Sequence, residues 1–118
     1  MKILGSAAIV RSTDRDGAVR RFAALFGAPP LHEFEIDGRD LNVSVFPGVS
    51  VLCGPAPALA ELADLRATVF VGSLSVAEAE LRGDGWTTEG ALGEGASLLA
   101  RDPDGNLLEF VESPGPPG

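Results

Sequence analysis

The chain has 118 residues, 45% hydrophobic and 22% charged, with 9 basic residues against 17 acidic ones and a formal net charge of −8. This composition is that of an ordinary folded domain and excludes disorder along most of the chain. The acidic balance, without any run of Lys and Arg, argues against nucleic-acid binding. The longest apolar runs are far shorter than the roughly 20 residues of a membrane span, which argues against a membrane partner.

The cysteine content and the first residues of the sequence indicate the cellular compartment in which we expect the protein. Cys53 has no second cysteine with which to form an internal disulfide, which is typical of a reducing environment. No charged segment followed by an apolar segment and a cleavage site opens the sequence. We therefore expect a cytoplasmic protein.

The first half of the chain predicts a strand, a helix and three further strands. Residues 3–11 are apolar, as in a buried strand. Apolar residues then recur at the spacing of one helix face between Thr13, the expected N-cap, and Gly27, the expected stop. The next strands are predicted over residues 31–36, 41–45 and 49–53, separated by turn residues.

The second half predicts the same order of elements after a Pro-rich connection. Residues 54–58 predict a linker and residues 58–65 a short helical turn. A helix is expected next to the capping box formed by Ser75 and Glu78. The predicted strands cover residues 68–71, 86–88, 97–101 and 106–111.

The element order is therefore β-α-β-β-β twice, a weak internal repeat. We predict a first module over residues 1–53, a linker over 54–65, a second module over 66–112 and a disordered tail over 113–118. One module alone cannot bury both faces of its sheet. We therefore expect the two modules to pair in one compact α+β domain, as a curved mixed sheet with a concave ligand-binding face.

Two segments carry a family resemblance. Residues 101–110 (RDPDGNLLEF) look like the final hairpin of the vicinal oxygen chelate superfamily, which includes glyoxalase I, bleomycin-resistance proteins and extradiol dioxygenases. Residues 8–14 (AIVRSTD), leading to residues 21–27 (RFAALFG), resemble the first strand and helix of that family. The resemblance covers residues 3–112 and implies the paired-module fold.

The resemblance also implies where a divalent metal would be held in metal-dependent members, by two side chains from each half. The last-strand carboxylate falls on Glu109, and its counterpart in the first half falls on Leu52. The first-strand positions fall near Ser6 or Ala7 in the first half and near Ala67, within residues 66–68, in the second half. Such sites use imidazole and carboxylate ligands, and among these positions only Glu109 supplies one. We therefore predict no metal and no cofactor.

Several side chains allow two interpretations. His32 shares a strand face with Phe34 and Ile36, which favours a role in the core or an interface. Imidazole is also a common general base, so His32 remains a candidate for acid–base chemistry, with Glu109 or Glu35 as alternatives. Trp86 is expected to pack in the core or at a dimer contact, or to form a stacking wall for a planar ligand.

The sequence favours a small-molecule-binding protein similar to the metal-free, bleomycin-resistance branch, with an amphipathic or cationic ligand in the concave cleft. The predicted ligand contacts are Glu109, His32, Trp86, Arg101 and Leu52. The resemblance also implies a homodimer. Two alternatives stay open: a metal-dependent lyase or dioxygenase with a non-standard ligand set, and a non-metal enzyme with His32 as the base. Whether the protein is an enzyme is therefore left open.

Overall fold

The computed structural model describes residues 1–36, 38–92 and 97–112. The chain divides into two compact units: a first unit, Ala7–Ala63, and a second unit made of Met1–Ser6 and the chain from Asp64 onward. The first strand begins in the second unit and ends in the first. Both units combine a mixed sheet with helices, which confirms the α+β class and the repeated element order.

The elements of the first unit are β1 (Ile3–Ser12, shared with the second unit), α1 (Arg15–Phe26), β2 (His32–Ile36), β3 (Leu41–Phe46), β4 (Val49–Cys53) and α2 (Ala56–Glu61). The strands form a mixed sheet in the order β2-β3-β4-β1. Strands β1 and β4 are parallel, and the other neighbouring strands are antiparallel.

The further elements of the second unit are β5 (Leu65–Val71), α3 (Leu74–Gly83), β6 (Thr87–Leu92), β7 (Ser97–Arg101) and β8 (Leu107–Glu112). This unit repeats the arrangement in the strand order β5-β8-β7-β6. Strands β5 and β8 are parallel, and the β8–β7 and β7–β6 pairs are antiparallel. The residue before β1 joins this unit, since the Lys2 carbonyl accepts a hydrogen bond from the Gly72 N–H at 3.1 Å.

The predicted helix starts are wrong by one or two residues. Asp14, not Thr13, caps α1, and its carboxylate accepts from the Gly17 N–H at 3.1 Å. Ser73, not Ser75, caps α3, since Ser73 has the extended backbone of an N-cap and accepts from the Val76 N–H at 3.3 Å. The predicted stop of α1 is confirmed, because Gly27 adopts the left-handed conformation of a C-terminal cap.

The predicted linker contains a short helix. Helix α2 begins at Ala56 rather than Ala58, directly after Pro55, a residue that suits the start of a helix because it has no N–H to leave unbonded. The chain leaves α2 before Leu65, which already belongs to β5. The predicted tail, residues 113–118, lies outside the described residues.

No helix in the described part of the chain is long and apolar enough to cross a membrane.

A separate apolar cluster lies between helix and sheet in each unit. In the first unit, Phe26 of α1 stacks on Phe46 of β3 with ring centroids 5.5 Å apart. In the second unit, α3 packs on Leu98, Ala100 and Phe110 of β7 and β8. Because side chains alternate along a strand, the residues between these point to the opposite face of the sheet.

Candidate functional site

Glu109 lies on the sheet face of the second unit that points away from α3. Its neighbour Phe110 packs on α3, so Glu109 points the other way. Across the strands it faces Thr68 of β5 and Leu99 of β7. Glu109 is only 1% exposed and Thr68 and Leu99 are fully buried, so a carboxyl group lies in a largely apolar environment.

The two oxygens of the Glu109 carboxylate differ. Thr68 Oγ1 donates a hydrogen bond to Oε1 at 3.0 Å. Oε2 is buried and has no hydrogen-bond partner among residues 1–36, 38–92 and 97–112. Leaving a buried polar atom unbonded costs about 1–3 kcal/mol, and more when the group is charged. Oε2 is therefore a place where a further donor would stabilise the structure.

The environment also changes the acidity of this carboxyl group. Burial raises the pKa of Glu109 from its ordinary 4.5 to about 7, and the hydrogen bond from Thr68 opposes the rise. Near neutral pH both the carboxylic acid and the carboxylate are therefore populated. Such a group can bind a cation, accept a hydrogen bond or exchange a proton with a ligand.

The first unit has an equivalent position, and it corrects the predicted one. In the parallel pair β5–β8, Thr68 is paired with Glu109; in the pair β1–β4, Ile9 is paired with Ser50. Thr68 lies as far before the cap of α3 as Ile9 lies before the cap of α1. Ser50, not Leu52, is therefore the counterpart of Glu109.

The wrong prediction of Leu52 as the counterpart of Glu109 results from a difference in length between two turns. The connection from β7 to β8, residues 102–106, is longer than the tight turn from β3 to β4, residues 47–48. Aligning Gly48 with Gly105 therefore places Leu52, two residues past Ser50, at the position of Glu109. Ser50 shares an unusual property with Glu109: its Oγ is buried, and no described residue hydrogen-bonds to it. The repeat thus has an unpartnered polar atom at the same place in each unit.

The described residues do not fit the four-ligand metal site that the resemblance implies. Among them, no group of three or more His, Cys, Asp or Glu side chains could hold a metal ion. On its face of the sheet, Glu109 is flanked by Leu99, Leu107 and Val111, and its polar neighbour is the hydroxyl of Thr68. A divalent transition metal needs several imidazole, carboxylate or thiolate ligands, and these side chains provide one.

Arg101 lies on the same face as Leu99, but its guanidinium is already engaged. Nη1 donates to Asp64 Oδ2 at 2.7 Å and to the Gly105 carbonyl at 2.9 Å, and Nε lies 3.9 Å from a Glu89 carboxylate oxygen. The hydrogen bond to Asp64 raises the pKa of Arg101. Arg101 therefore fixes the β7–β8 turn in this structure.

The other predicted contacts lie elsewhere. Trp86 packs on the α3 side of the sheet, edge-on to Phe110 with ring centroids 6.0 Å apart, and so lies on the face opposite Glu109. His32 and Leu52 belong to the first unit, where His32 is exposed at the start of β2 and Leu52 is buried in β4. Of the five predicted residues, Glu109 is the one with a buried side-chain oxygen that has no hydrogen-bond partner in the described part of the chain.

The sequence places the second-half metal position near Ala67, within residues 66–68, but it does not predict that Thr68 bonds Glu109. The structure shows an irregularity in β5 between Leu65 and Ala67. Because alternate residues point to opposite faces, an error of one residue changes the face. A threonine in an otherwise apolar predicted strand was the available signal.

No protein-family model matches the sequence, and no curated protein does either. Among solved structures, an uncharacterized protein from Methanosarcina mazei has a TM-score of 0.82 at 23% identity, covering 100% of this chain and 98% of that one. Methylmalonyl-CoA epimerase from Mycobacterium tuberculosis has a TM-score of 0.65 at 20% identity, with coverages of 97% and 90%.

A third similar structure is the Q60A variant of Streptomyces coelicolor methylmalonyl-CoA epimerase in complex with 2-nitronate-propionyl-CoA. It has a TM-score of 0.66 at 14% identity, covering 92% of this chain and 96% of that one. At these identities the likeness shows a shared fold.

Proposed function

We propose that the protein binds a small amphipathic or cationic molecule whose polar group hydrogen-bonds Oε2 of Glu109. The single observation that carries this proposal is the buried Oε2 of that carboxyl group, which has no hydrogen-bond partner among the residues that the structure describes. A ligand with an N–H or O–H donor would remove the cost of the missing hydrogen bond, and its apolar part would contact the leucine and valine side chains around Glu109.

The charge of the chain supports a cationic rather than an anionic ligand. The formal net charge is −8, and one of the negative charges counted in it, that of an ionised Glu109, lies at the point of contact. A buried carboxylate is stabilised most by a charged donor, because charge-assisted hydrogen bonds are about twice as strong as neutral ones. An ammonium group on a short alkyl chain therefore represents the favoured ligand class.

Access to Oε2 requires movement of neighbouring side chains, because Glu109 is almost completely buried. Two surface grooves lie in the first unit and do not include Glu109: one of about 630 Å³ beside Arg15 and Pro30, and one of about 160 Å³ beside Glu35 and Asp40. We expect ligand binding to be coupled to local opening, so that association is slow compared with binding to a preformed groove.

The test uses three probes with the same alkyl chain and different head groups: hexylammonium, hexanol and hexanoate. Binding is followed by thermal stability and by the amide chemical shifts of Thr68 and Glu109. We expect hexylammonium to stabilise the protein, by about 2.7 kcal/mol at 100 times its dissociation constant, hexanol to do so more weakly, and hexanoate not at all.

Glu109→Gln removes the carboxylate and, in high salt that screens the surface charge, should abolish the preference for hexylammonium over hexanol. The matched control is Glu61→Gln, the same substitution at an exposed residue whose ion pair with Arg39, at 3.7 Å, contributes little. If none of the three probes shifts the amides of Thr68 and Glu109, the proposed site is wrong.

The metal-dependent alternative is tested on the same samples. The protein is incubated with Zn²⁺, Ni²⁺ or Mn²⁺, dialysed and analysed for bound metal. Stoichiometric metal that disappears in Glu109→Gln would support a metalloenzyme with a non-standard ligand set instead of metal-free binding. The proposed homodimer is tested by sedimentation equilibrium of the same preparations, which separates a monomer from a dimer by mass.

A further inference from the structure

We propose that the groove between α1 and the start of β2 in the first unit binds a zwitterionic α-amino acid with an apolar side chain. The groove has a volume of about 630 Å³ and is lined by residues of α1, of the connection from α1 to β2 and of β2 itself. It lies wholly within the first unit and does not include Glu109. This inference therefore concerns a second site and is independent of the proposed function.

The α1 side of the groove is a single stripe of the helix. Arg15, Val19 and Ala23 follow one another at intervals of four residues, and Asp16 and Arg20 each lie one position further round. Val19 and Ala23 are partly buried against the apolar cluster that joins α1 to the sheet. Their remaining exposed surface gives the groove an apolar strip bordered by charged side chains.

Two prolines complete the apolar part of the lining. Pro29 and Pro30 follow Gly27, which caps the end of α1, and the ring of each proline fixes its backbone φ. A lining with a rigid wall loses little conformational entropy when a ligand enters. The volume also lies within the roughly 300–1,000 Å³ typical of small-molecule sites. The groove therefore suits a compact apolar group such as a branched alkyl chain.

Four charged side chains line the groove, two of each sign. Arg15 and Glu33 form an ion pair from α1 to β2, with Nη2 of the arginine 2.9 Å from Oε2 of the glutamate. Asp16 and Arg20 lie about one helical turn apart, and neither side chain has an ion pair or a hydrogen bond with another described residue. One negative and one positive group of the lining are therefore left to bond a ligand.

This arrangement matches a molecule that carries an ammonium group and a carboxylate close together. The ammonium group of an α-amino acid would donate to the Asp16 carboxylate, and its carboxylate would accept from the Arg20 guanidinium. Its apolar side chain would lie on Val19, Ala23 and the two prolines. A simple anion is repelled by Asp16 and a simple cation by Arg20, so a zwitterion is the ligand class that gains from both groups.

The test compares leucine with three probes that each lack one of its features. The probe 4-methylpentanoate lacks the ammonium group, 3-methylbutylamine lacks the carboxylate, and glycine lacks the alkyl chain. Dissociation constants are measured at neutral pH from the amide chemical shifts of Val19, Ala23 and Glu33. The buffer contains about 0.15 M salt, which screens the general attraction of an acidic chain for cations beyond about 8 Å. Leucine should bind about threefold more tightly than either singly charged probe and about fivefold more tightly than glycine.

Two substitutions assign the two charges separately. Arg20→Gln should abolish the preference for leucine over 3-methylbutylamine and keep the preference over 4-methylpentanoate. Asp16→Asn should have the converse effect. The matched control is Arg21→Gln, because Arg21 is an exposed arginine of α1 that does not line the groove. In this control all four dissociation constants should stay at their wild-type values, and the amide spectrum of each variant shows whether the fold is retained.

Each outcome of these titrations decides the inference. If no probe shifts the three amides, the groove is not a binding site. If the three probes with an alkyl chain bind equally well, apolar contact alone drives binding and the zwitterion assignment is wrong. If Arg21→Gln weakens leucine binding as much as Arg20→Gln does, the effect belongs to the general surface charge. None of these failures affects the proposed function, which is measured at the amides of Thr68 and Glu109.

Discussion

At the scale of the residue, Glu109 illustrates how a side chain can oppose the stability of the fold that holds it. Its carboxyl group is 1% exposed and one of its oxygens has no hydrogen-bond partner in the described part of the chain. A leucine of similar volume would avoid both the desolvation and the missing hydrogen bond. A group that is costly to fold and able to bond a ligand is typical of a site where stability is traded for function.

The cost of burying an ionised Glu109 predicts that the stability of the fold depends on pH. The unfolded chain loses the Glu109 proton near pH 4.5, whereas the folded protein holds it until about pH 7. The folded state therefore binds the extra proton in this interval, and the free energy of unfolding should fall by roughly 3 kcal/mol as pH rises through it, with no further loss above. Urea unfolding at a series of pH values measures this. Glu109→Gln should remove that part of the slope, and a slope unchanged in the variant would contradict the assignment.

Cys53 gives a second prediction at this scale. The thiol is buried, and burial raises its pKa more than the nearby Arg15 lowers it. Because the thiolate is the reactive form, the native protein should react with iodoacetamide far more slowly than the urea-unfolded chain. Mass spectrometry of the alkylated fraction over time measures both rates. Rapid alkylation under native conditions would show that Cys53 is accessible.

At the scale of the element, the starts of the helices depend on single hydrogen bonds. Ser73 accepts from the Val76 N–H, whereas Ser75 lies inside α3. Ser73→Ala should therefore cost about 1 kcal/mol of unfolding free energy, and Ser75→Ala less, as measured by urea denaturation. The reverse order of the two variants would support the capping box with Ser75 that the sequence alone suggests.

The connection before α2 gives a second prediction at this scale, at Gly54. A β-carbon there would lie 2.7 Å from the Asp40 carbonyl oxygen and 2.7 Å from a methyl carbon of Leu41. The backbone carbonyl cannot move without disturbing the start of β3, so Gly54→Ala should destabilise the fold by about 1–3 kcal/mol. Gly5→Ala is the matched control, because no atom lies within 4 Å of its added carbon. Equal melting temperatures for the two variants would refute the close approach.

The elements also show what sequence patterns can establish. The order of strands and helices and the stop at Gly27 follow from residues close together in the chain, and the structure confirms them. The pairing of Thr68 with Glu109 joins parallel strands far apart in sequence, beside an irregularity in β5 that no local pattern announces. Similarly, the sequence places the counterpart of Glu109 at Leu52 instead of Ser50, because the β3–β4 and β7–β8 turns differ in length.

At the scale of the whole molecule, the formal charge of −8 acts together with the local chemistry of the site. A field from many surface carboxylates attracts any cation, and salt screens it over a distance of about 8–10 Å. The proposed hydrogen bond between a ligand and the buried Oε2 of Glu109 would be screened much less. The surface field and this hydrogen bond are therefore separable by ionic strength in their contributions to the proposed ligand binding.

Hexylammonium should accordingly lose part of its affinity as salt is added, and the affinity for hexanol should stay constant, because the alcohol carries no charge. Above pH 7, where Glu109 is ionised, the preference of wild type for hexylammonium over hexanol should persist in high salt through the charge-assisted bond at Oε2. In Glu109→Gln the preference should vanish when the surface field is screened. Titration calorimetry of both proteins with both probes, at low and high salt, measures this. A preference that disappears equally in both proteins would assign cation binding to the surface charge rather than to the buried carboxylate.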